Sequence, residues 1–559
     1  MQVITANTEI EIEKHFKVVA GPGAGKTKFL VNHIKNVLTN SVRLGKNRKV
    51  ACITYTNVGV DALIDRIEDE RDHIDISTIH SFLFKHVVKP YMFLITEKYG
   101  LNPEEIENPF EHIVSKGYFN KTDLPRRNIN ETEIKSVYWE IEDDQCILRL
   151  KNRKNLYHKS LLKYKTFFWK KGIIHYDDIL SFAWEIINSD SNVERVLRAK
   201  FPYFFIDEFQ DTSPIQAEIL KKIAEAETIV GVIGDEAQSI YSFQGASIQQ
   251  FSDFTLSSMK EFVIQDNYRS TNEIIDVLKL IRGDLEQKNP LNKIGKLPKL
   301  FIGNSIKALD ECEHIFGEQK VVSLSYMVPT ANAMRKRIDV ASPANHMIED
   351  LFSVDSNRAR KRILVSIIKA VEFAKQSLFS DAIKELSYHF KTQDQFKGQK
   401  SALILLKSLL NEYESISNAR VWDLYERLQK NPLLSLPKIR ESQTGNMSKV
   451  ESFYKKTPYS DIAITIRLVK DESLHRTIHK AKGDEFNNVL VIVKGKYGNK
   501  YKEKRDIAFL LYSDLKNLEE HRVNYVACSR ARENLIINVP EMTLEVRYKL
   551  DKYFEINNV

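Results

Sequence analysis

Two short apolar runs, each followed by a polar turn, stand out in the first half of the chain. Phe16–Ala20 precedes a glycine-rich turn and then a segment with the apolar spacing of a helix. Tyr203–Ile206 is aromatic and aliphatic throughout and is followed by two carboxylates. Such runs predict buried strands. Further along, residues 361–374 and 402–413 repeat apolar side chains at helical spacing, which predicts a helical domain.

The composition is that of a folded protein with several domains. A chain of 559 residues is too long to fold around one hydrophobic core, and its length predicts about three or four structural units. Lysine and arginine outnumber aspartate and glutamate by 83 to 75, which suits a polyanionic partner but equally a solvated surface. The cysteines lie far apart, so neither a disulfide framework nor a zinc ribbon is expected. We expect a cytoplasmic protein without a membrane segment, since no apolar stretch approaches the roughly 20 residues that span a bilayer.

The glycine-rich turn has the composition that a triphosphate requires. Its glycines let backbone N–H groups turn toward phosphate oxygens, and the helix beginning near Lys26 directs its positive end at them. Lys26 would reach the β- and γ-phosphates, and Thr27 would bind Mg²⁺. A structural turn is the alternative, because Ala20 replaces the first glycine of the strict pattern. The predicted ATP contacts here are Ala20, Gly21, Pro22, Gly23, Ala24, Gly25, Lys26, Thr27 and Lys28.

The two carboxylates after the second run fit the other half of an ATP site. Asp207 would hold Mg²⁺, and Glu208 would orient or deprotonate the attacking water. The alternative is a surface acidic turn after a buried strand. The glycine-rich turn in the same chain favours the catalytic interpretation.

The segment Asp207–Thr212 resembles motif II of the UvrD/Rep/PcrA helicases of superfamily 1. The other motifs of that family follow in its order. The matching segments are 53–57, 77–82, 172–180, 234–246, 267–271, 477–486 and 522–532. With the glycine-rich turn and motif II, nine ordered segments make the resemblance specific.

The resemblance assigns roles around ATP. Gln238 would sense the γ-phosphate, Tyr268 would stack on adenine, and Arg269 would touch the γ-phosphate. Arg530 would act as an arginine finger from the second domain. Glu485 would bind the ribose or stabilise a loop on the DNA side. The predicted catalytic set is Lys26, Asp207, Glu208, Gln238, Arg269 and Arg530.

The resemblance also assigns contacts with single-stranded DNA. Tyr241 and Phe243 would stack on bases, although either could be core. Lys159–Lys171 mixes basic and aromatic residues, so it could line a groove for the strand or form a helix with one core face and one solvated face. The remaining predicted DNA contacts are Thr56, Asn57, Thr78, His80, Tyr176, Thr477 and His479.

The chain departs from the family pattern at several positions. Phe243 and Gln244 stand where the family has tryptophan and arginine, and Ile64 stands where it often has arginine. Asp484 replaces a leucine near the expected DNA path. The predicted catalytic residues are all retained, so we expect hydrolysis to survive, while the strength of unwinding is left open.

The resemblance implies an α/β protein with two RecA-like P-loop domains, each with a parallel sheet and a mostly α-helical insertion. Motif spacing divides the chain into residues 1–85 and 195–275 for the first domain, 86–194 for its insertion, 276–340 and 455–559 for the second domain, and 341–454 for a reduced helical insertion.

The implied function is an ATP-dependent helicase or translocase that moves 3′ to 5′ on single-stranded or tailed duplex DNA. The reduced second insertion favours a translocase or a motor controlled by a partner. Short UvrD-like helicases also resemble the helicase subunit of the Gabija antiviral system, whose partner is a nuclease with an OLD-type ATPase and a Toprim fold. The alternatives are a role in DNA repair or plasmid maintenance, a DNA-stimulated ATPase sensor that activates a nuclease without processive unwinding, and a nucleotide-binding protein acting on RNA or small molecules.

Overall fold

The chain divides into two compact units. Unit 1 contains Met1–Ile294 and Ser513–Ser529, and unit 2 contains Gly295–Tyr512 and Arg530–Val559. None of the described helices combines the length with the apolar composition that a membrane-spanning helix needs. The computed structural model describes residues 1–67, 71–106, 109–110, 114–130, 133–151, 153, 155–242, 245–341, 344, 346–390, 395–432, 434–439, 447–468 and 473–559.

Unit 1 is built on a parallel sheet. The strands of unit 1 are β1 Gln2–Ile4, β2 Phe16–Ala20, β3 Val50–Thr54, β4 Ile74–Thr78, β5 Val137–Glu142, β6 Gln145–Leu150, β7 Tyr203–Ile206, β8 Ile229–Gly234 and β9 Lys260–Ile264. Of these, β5 and β6 form a separate antiparallel hairpin. The sheet has the order β1-β9-β2-β8-β7-β3-β4, and every neighbouring pair is parallel. Because β2, β8 and β7 are neighbours, the turns at their carboxyl ends lie side by side.

Helices cover the sheet of unit 1. They are α1 Lys26–Asn40, α2 Asn57–Ile64, α3 Ile79–Leu83, α4 Lys89–Tyr91, α5 Thr96–Tyr99, α6 Lys116–Phe119, α7 His158–Trp169, α8 Tyr176–Ser189, α9 Ser191–Lys200, α10 Pro214–Ala224, α11 Ile248–Ser252 and α12 Asn272–Ile281. Side chains alternate across β7, so that Phe204 and Ile206 join one hydrophobic core while Tyr203 and Phe205 join the other. The sheet is therefore buried on both faces, as the apolar sequences of its central strands β7 and β8 predict.

A buried ion cluster lies in the insertion of unit 1. The Lys165 ammonium is 2.6 Å from Asp177 Oδ2 and 2.7 Å from Asp178 Oδ1. Trp139 and Trp169 donate their indole N–H groups to the same Asp178 carboxylate at 3.0 and 2.8 Å. Burial lowers the pKa of Lys165, but the two carboxylates more than offset this effect and raise it above its ordinary value. The ammonium thus supplies the positive charge that this acidic cluster needs.

The helix α7 contains most of the basic and aromatic stretch Lys159–Lys171, and it ends at Trp169. Tyr164, Lys165, Phe168 and Trp169 are buried on one face, whereas Lys163 is exposed. Of the two interpretations offered for this stretch, the structure matches the helix with one core face and one solvated face. The antiparallel hairpin β5–β6 packs in the same core.

Unit 2 contains a second parallel sheet. Its strands are β10 Lys299–Ile302, β11 Val321–Ser325, β12 His475–Thr477, β13 Phe486–Ile492, β14 Ala531–Val539 and β15 Glu555–Asn558. They pair in the order β12-β11-β13-β14-β10-β15, again with every neighbouring pair parallel. The predicted fold class, with two parallel-sheet domains and helical insertions, is confirmed. The six predicted segment boundaries stay predictions.

The remaining helices include a helical insertion in unit 2. They are α13 Ser305–Phe316, α14 Val328–Arg335, α15 Met347–Val354, α16 Arg358–Lys375, α17 Phe379–Ser387, α18 Gln395–Asn411, α19 Tyr413–Ser417, α20 Val421–Gln429, α21 Lys449–Lys456, α22 Tyr459–Ala463, α23 Glu503–Asp506, α24 Ala508–Leu511, α25 Glu519–Cys528 and α26 Leu544–Leu550. The two stretches predicted from helical spacing lie in α16 and in α18–α19. Helix α25 belongs to unit 1.

Replacing Lys165 by methionine should destabilise the protein by about 3–5 kcal/mol, because it leaves the buried Asp178 carboxylate without its cation. The matched control is Lys163→Met on the exposed face of α7, which should change the free energy of unfolding by no more than about 0.5 kcal/mol. Urea unfolding of both variants measures the difference. Equal stability of the two variants would show that the cluster is not a stabilising element.

Candidate nucleotide and nucleic-acid sites

The glycine-rich turn joins β2 to α1 in unit 1. Gly23 and Gly25 have φ angles of 71° and 82°, in the left-handed region that favours glycine. A Cβ atom on Gly23 would clash with Asn267 Oδ1, so this close approach also requires glycine. No side chain caps α1, and the N–H groups of its first turn would therefore stabilise an anion held by the turn.

Lys26, Thr27 and Asp207 lie together at this turn. The buried Lys26 Nζ donates to the carbonyl oxygens of Ala20 and Gly21, both at 3.4 Å. Thr27 Oγ1 donates to Asp207 Oδ2 at 3.5 Å. A hydroxyl and a carboxylate are hard oxygen ligands of the kind that Mg²⁺ prefers, so the donor set fits that ion.

Burial is the main influence on the charge of Asp207. Burial, together with the neighbouring Glu208 carboxylate, raises the pKa of Asp207 to about 7, although Lys26 acts in the opposite direction. A bound divalent cation would favour the ionised form of Asp207. The carboxylate is therefore well suited to a site where a cation completes the charge balance.

Hydrogen bonds connect Glu208 with Gln238. Glu208 has a φ of 54°, which turns the chain sharply after β7, and its carboxylate accepts from Gln210 Nε2. Gln210 Oε1 in turn accepts from the backbone N–H of Asp235 at 2.9 Å. Asp235 Oδ2 accepts from Gln238 Nε2 at 2.6 Å. The candidate base and the candidate γ-phosphate sensor thus share one buried polar network.

The residues predicted to contact adenine and the γ-phosphate from segment 267–271 also lie at the glycine-rich turn. The backbone N–H of Tyr268 donates to Gly23 O at 2.9 Å. Asn267 Oδ1 accepts from the Arg269 N–H at 3.0 Å. The Arg269 guanidinium donates to Ser529 O at 2.9 Å, which ties this segment to the chain just beyond α25.

Arg530 and Glu485 belong to unit 2, whereas the other predicted ATP contacts belong to unit 1. Arg530 precedes β14 and is buried, and its guanidinium donates to Asp484 O at 3.3 Å. The Glu485 carboxylate lies 3.3 Å from Arg532 and is partly exposed. Asp484 itself pairs with Arg476 at 2.8 Å, so the acid near the expected DNA path is neutralised by a neighbouring cation.

Two threonines predicted to bind DNA phosphates cap helices. Thr56 Oγ1 accepts from Gly59 N at 3.1 Å at the start of α2, and Thr78 Oγ1 accepts from Ser81 N at 3.3 Å at the start of α3. Both hydroxyls therefore have a structural role at the carboxyl ends of β3 and β4. The side chain of Asn57 lies outside the described residues.

Aromatic rings meet next to these helix starts. The rings of Tyr55 and Tyr241 stack with centroids 5.2 Å apart and planes 18° from parallel. The His80 ring meets Tyr176 edge-on at 6.0 Å, and Tyr176 is half exposed. Burial lowers the pKa of His80 to about 4 despite the nearby Asp177, so this histidine is neutral at pH 7. Phe243 and Gln244 lie outside the described residues.

Unit 2 has an aromatic and basic cluster of its own. His479 lies edge-on to Tyr326 with centroids 5.9 Å apart. The Lys496 ammonium lies 4.4 Å from the centre of the Tyr326 ring. Thr477, at the end of β12, is buried and begins the turn that carries His479.

Two family models match the chain. The UvrD/REP helicase N-terminal domain matches residues 4–258, and the UvrD-like helicase C-terminal domain matches residues 474–541. The chain belongs to the UvrD-like helicases. The resemblance inferred from the ordered motifs is thereby confirmed.

Three relatives of this UvrD-like helicase are similar over much of its length. The Gabija protein GajB of Bacillus cereus is 23% identical, with 94% of this chain and 93% of that protein covered. The ATP-dependent DNA helicase Rep of Buchnera aphidicola subsp. Schizaphis graminum is 22% identical, with 95% and 92% covered. The probable DNA helicase II homolog of Mycoplasma capricolum is 23% identical, and the match covers 77% of this chain but 61% of that longer protein.

The sequence did not single out several residues that the helicase brings to these sites. Tyr55 stands inside segment 53–57 and was open to prediction as an aromatic beside the expected phosphate contacts. Tyr326 and Lys496 lie outside the quoted motifs, and only the sheet order brings them beside His479. Gln210 stands inside motif II, but its bond to Glu208 depends on the turn after β7.

Gly23→Ala should destabilise the UvrD-like helicase by more than about 1 kcal/mol, because alanine is strained at a positive φ, and its Cβ would displace Asn267. ATP hydrolysis should fall on the order of 100-fold, since a shift of about 1 Å at a reacting group costs this much. The control is Gly45→Ala, whose Cβ meets nothing within 4 Å. Hydrolysis rates and melting temperatures of both variants test this, and wild-type turnover by Gly23→Ala would contradict it.

Proposed function

We propose that this chain hydrolyses ATP at the turn between β2 and α1 and uses the energy to move along single-stranded DNA. The observation that carries the proposal is the meeting of Lys26, Thr27 and Asp207 at the carboxyl ends of two parallel strands. This arrangement supplies a cation for the phosphates and oxygen ligands for Mg²⁺ in one place. Family membership supports the same class of enzyme.

The residues have distinct roles in the proposed hydrolysis. Lys26 would neutralise charge on the β- and γ-phosphates, and Mg²⁺ held by Thr27 and Asp207 would stabilise the charge that develops on the phosphate oxygens. Glu208 would orient the attacking water and accept its proton. The hydrogen bond from Gln210 fixes the Glu208 carboxylate, which favours a single orientation for that step.

DNA binding is proposed on the surface where β3 and β4 end. The stacked pair Tyr55 and Tyr241 supplies aromatic faces for bases. The cluster of Tyr326, His479 and Lys496 would provide a second contact on unit 2. Stacking of this kind is tolerant of sequence, so we propose binding without strong base preference.

We propose movement from 3′ to 5′ and a place in antiviral defence with a nuclease partner of the OLD/Toprim type. The support for the defence role is the similarity to the Gabija protein GajB over most of both chains, and the direction and the nuclease partner are proposed from the resemblance of the motifs. The similar coverage of the helicase Rep keeps DNA repair as the second candidate. A sensor that hydrolyses ATP on DNA and activates its partner without unwinding is the alternative mechanism.

Lys26→Ala should reduce ATP hydrolysis to background, because it removes the cation that meets the β- and γ-phosphates. Lys35→Ala, at an exposed position on the same helix, is the matched control and should retain wild-type turnover. Steady-state phosphate release from both variants is the measurement. Normal turnover by Lys26→Ala would rule out this turn as the ATP site.

Arg530→Ala should slow hydrolysis by about 10³- to 10⁵-fold while ATP still binds, as expected for loss of an arginine finger. Titration with a fluorescent ATP analogue and single-turnover hydrolysis separate the two effects. Arg547→Ala, at another arginine of unit 2, serves as control and should leave both unchanged. An unchanged rate for Arg530→Ala would show that hydrolysis does not require this residue of unit 2.

Tyr241→Ala should weaken binding to single-stranded DNA by about 1–3 kcal/mol per lost base stack. Tyr138→Ala, a partly exposed tyrosine on β5, is the control. Fluorescence anisotropy with a labelled oligonucleotide measures both affinities. Equal affinities would remove Tyr241 from the proposed DNA surface.

The overall proposal is tested by ATP hydrolysis with and without single-stranded DNA, beside strand displacement from 3′-tailed and 5′-tailed duplexes. Stimulated hydrolysis with displacement of the 3′-tailed duplex supports an autonomous 3′ to 5′ helicase. Stimulated hydrolysis without displacement supports the sensor or translocase. Hydrolysis that DNA does not stimulate would overturn the proposed DNA surface.

A further inference from the structure

Arg282 follows α12 directly, lies outside the quoted motifs, and is nevertheless almost completely buried in unit 1. Its exposed fraction is 3%, and its guanidinium donates to the carboxylate of Asp235, which is fully buried. Its Nε also donates to Asp284 at 3.2 Å. A buried arginine paired with a buried aspartate is costly to desolvate, so the pair calls for a physical explanation.

The carboxylate of Asp235 is shared between Arg282 and the candidate ATP site. Its Oδ2 accepts from Gln238 Nε2 at 2.6 Å, while its Oδ1 accepts from Arg282 and from Ala237 N at 3.1 Å. The backbone N–H of Asp235 holds Gln210, which bonds to Glu208. Arg282 therefore lies two hydrogen bonds from the side chain of Gln238.

The other side of Arg282 faces α25. The guanidinium lies 5.9 Å from the centre of the Tyr525 ring. Tyr525 Oη accepts from Gln287 Nε2 at 3.0 Å, and Gln287 Oε1 accepts from Asn267 Nδ2 at 2.9 Å. Asn267 is the residue that contacts the glycine-rich turn and orients the N–H of Arg269. One buried chain of polar groups thus runs from Gln238 through Arg282 to the phosphate side of the site.

We propose that Arg282 is a positioning residue for ATP hydrolysis, which holds Asp235 so that Gln238 and Glu208 keep one orientation toward the γ-phosphate. An amide such as Gln238 can turn either its oxygen or its nitrogen outward, and the fixed Asp235 carboxylate binds the nitrogen, which selects one of these two orientations. Without the guanidinium, Asp235 is free to rotate or draw in water, and that selection is lost. The proposal rests on the proposed function of the ATP site.

A purely structural role makes a different prediction, and the chain offers a matched control for it. Arg360 and Asp355 in the insertion of unit 2 form an equally buried pair, with exposed side-chain fractions of 5% and 0%. A tyrosine, Tyr454, donates to Asp355 at 2.7 Å, so this pair also has an aromatic partner. It has no connection to the predicted ATP contacts among the described residues. Loss of either arginine should therefore lower stability, but only loss of Arg282 should alter the chemical step.

The experiment compares Arg282→Met, Arg282→Lys and Arg360→Met at a temperature where all three are folded, as judged from their melting curves. Arg282→Met should lower kcat by about 10- to 100-fold, the range found when a group that orients a metal ligand is removed, while KM for ATP changes less than about threefold. Arg282→Lys should recover part of kcat because it keeps the charge. Arg360→Met should retain wild-type kcat. Equal kcat values for Arg282→Met and Arg360→Met would overturn the proposal.

If Arg282→Met does not fold, Asp235→Asn and Arg282→Lys carry the test, since both keep the shape of the cluster. A lowered kcat with little change in KM supports the proposal in these variants, and wild-type kcat in both overturns it. Wild-type protein and Lys26→Ala are measured beside them. Loss of activity in Lys26→Ala with normal kcat in the Arg282 variants would overturn the positioning role alone, whereas inactive wild-type protein would overturn the proposed function.

Discussion

Parallel pairing of β2, β8 and β7 is the constraint on which the site in unit 1 depends. Parallel strands bring their carboxyl ends to one edge of a sheet, and ligands of open α/β sheets bind at that edge. The glycine-rich turn, Asp235 and Asp207 each follow one of these three strands. Residues separated by almost two hundred positions in the sequence, such as Thr27 and Asp207, therefore come within hydrogen-bonding distance.

Much of the fold could be predicted because its elements are marked locally. The apolar runs before the glycine-rich turn and before Asp207 are strands, and the helical spacing near residue 361 corresponds to α16. The order of the strands and the membership of α25 in unit 1 depend on contacts between distant segments, which no local pattern records. The hairpin β5–β6 was open to prediction, since apolar and polar residues alternate along both of its strands, which is the pattern of half-buried strands.

The candidate site divides in the same way. Glycine, lysine and paired acids signal phosphate chemistry through their type and spacing, so Lys26, Asp207 and Glu208 were open to prediction. The type of a polar residue does not show whether its side chain stabilises the fold or is available to a ligand. Thr56 and Thr78 are of a residue type that often contacts phosphates, yet their hydroxyls cap helices. The burial of Arg282 could not be predicted, because the sequence does not distinguish a buried arginine from a solvated one.

The grouping of Ser513–Ser529 with unit 1 has a genetic consequence. The last piece of that unit is encoded some two hundred codons after the rest, beyond most of unit 2. A premature stop codon in this interval would yield a product that contains every strand of the first sheet but lacks Tyr525 and Arg522. These two residues form hydrogen bonds with Gln287 and with the Ser239 carbonyl oxygen of the same unit. The first unit should therefore not be separable as a contiguous fragment, because no single stretch of the sequence encodes all of it.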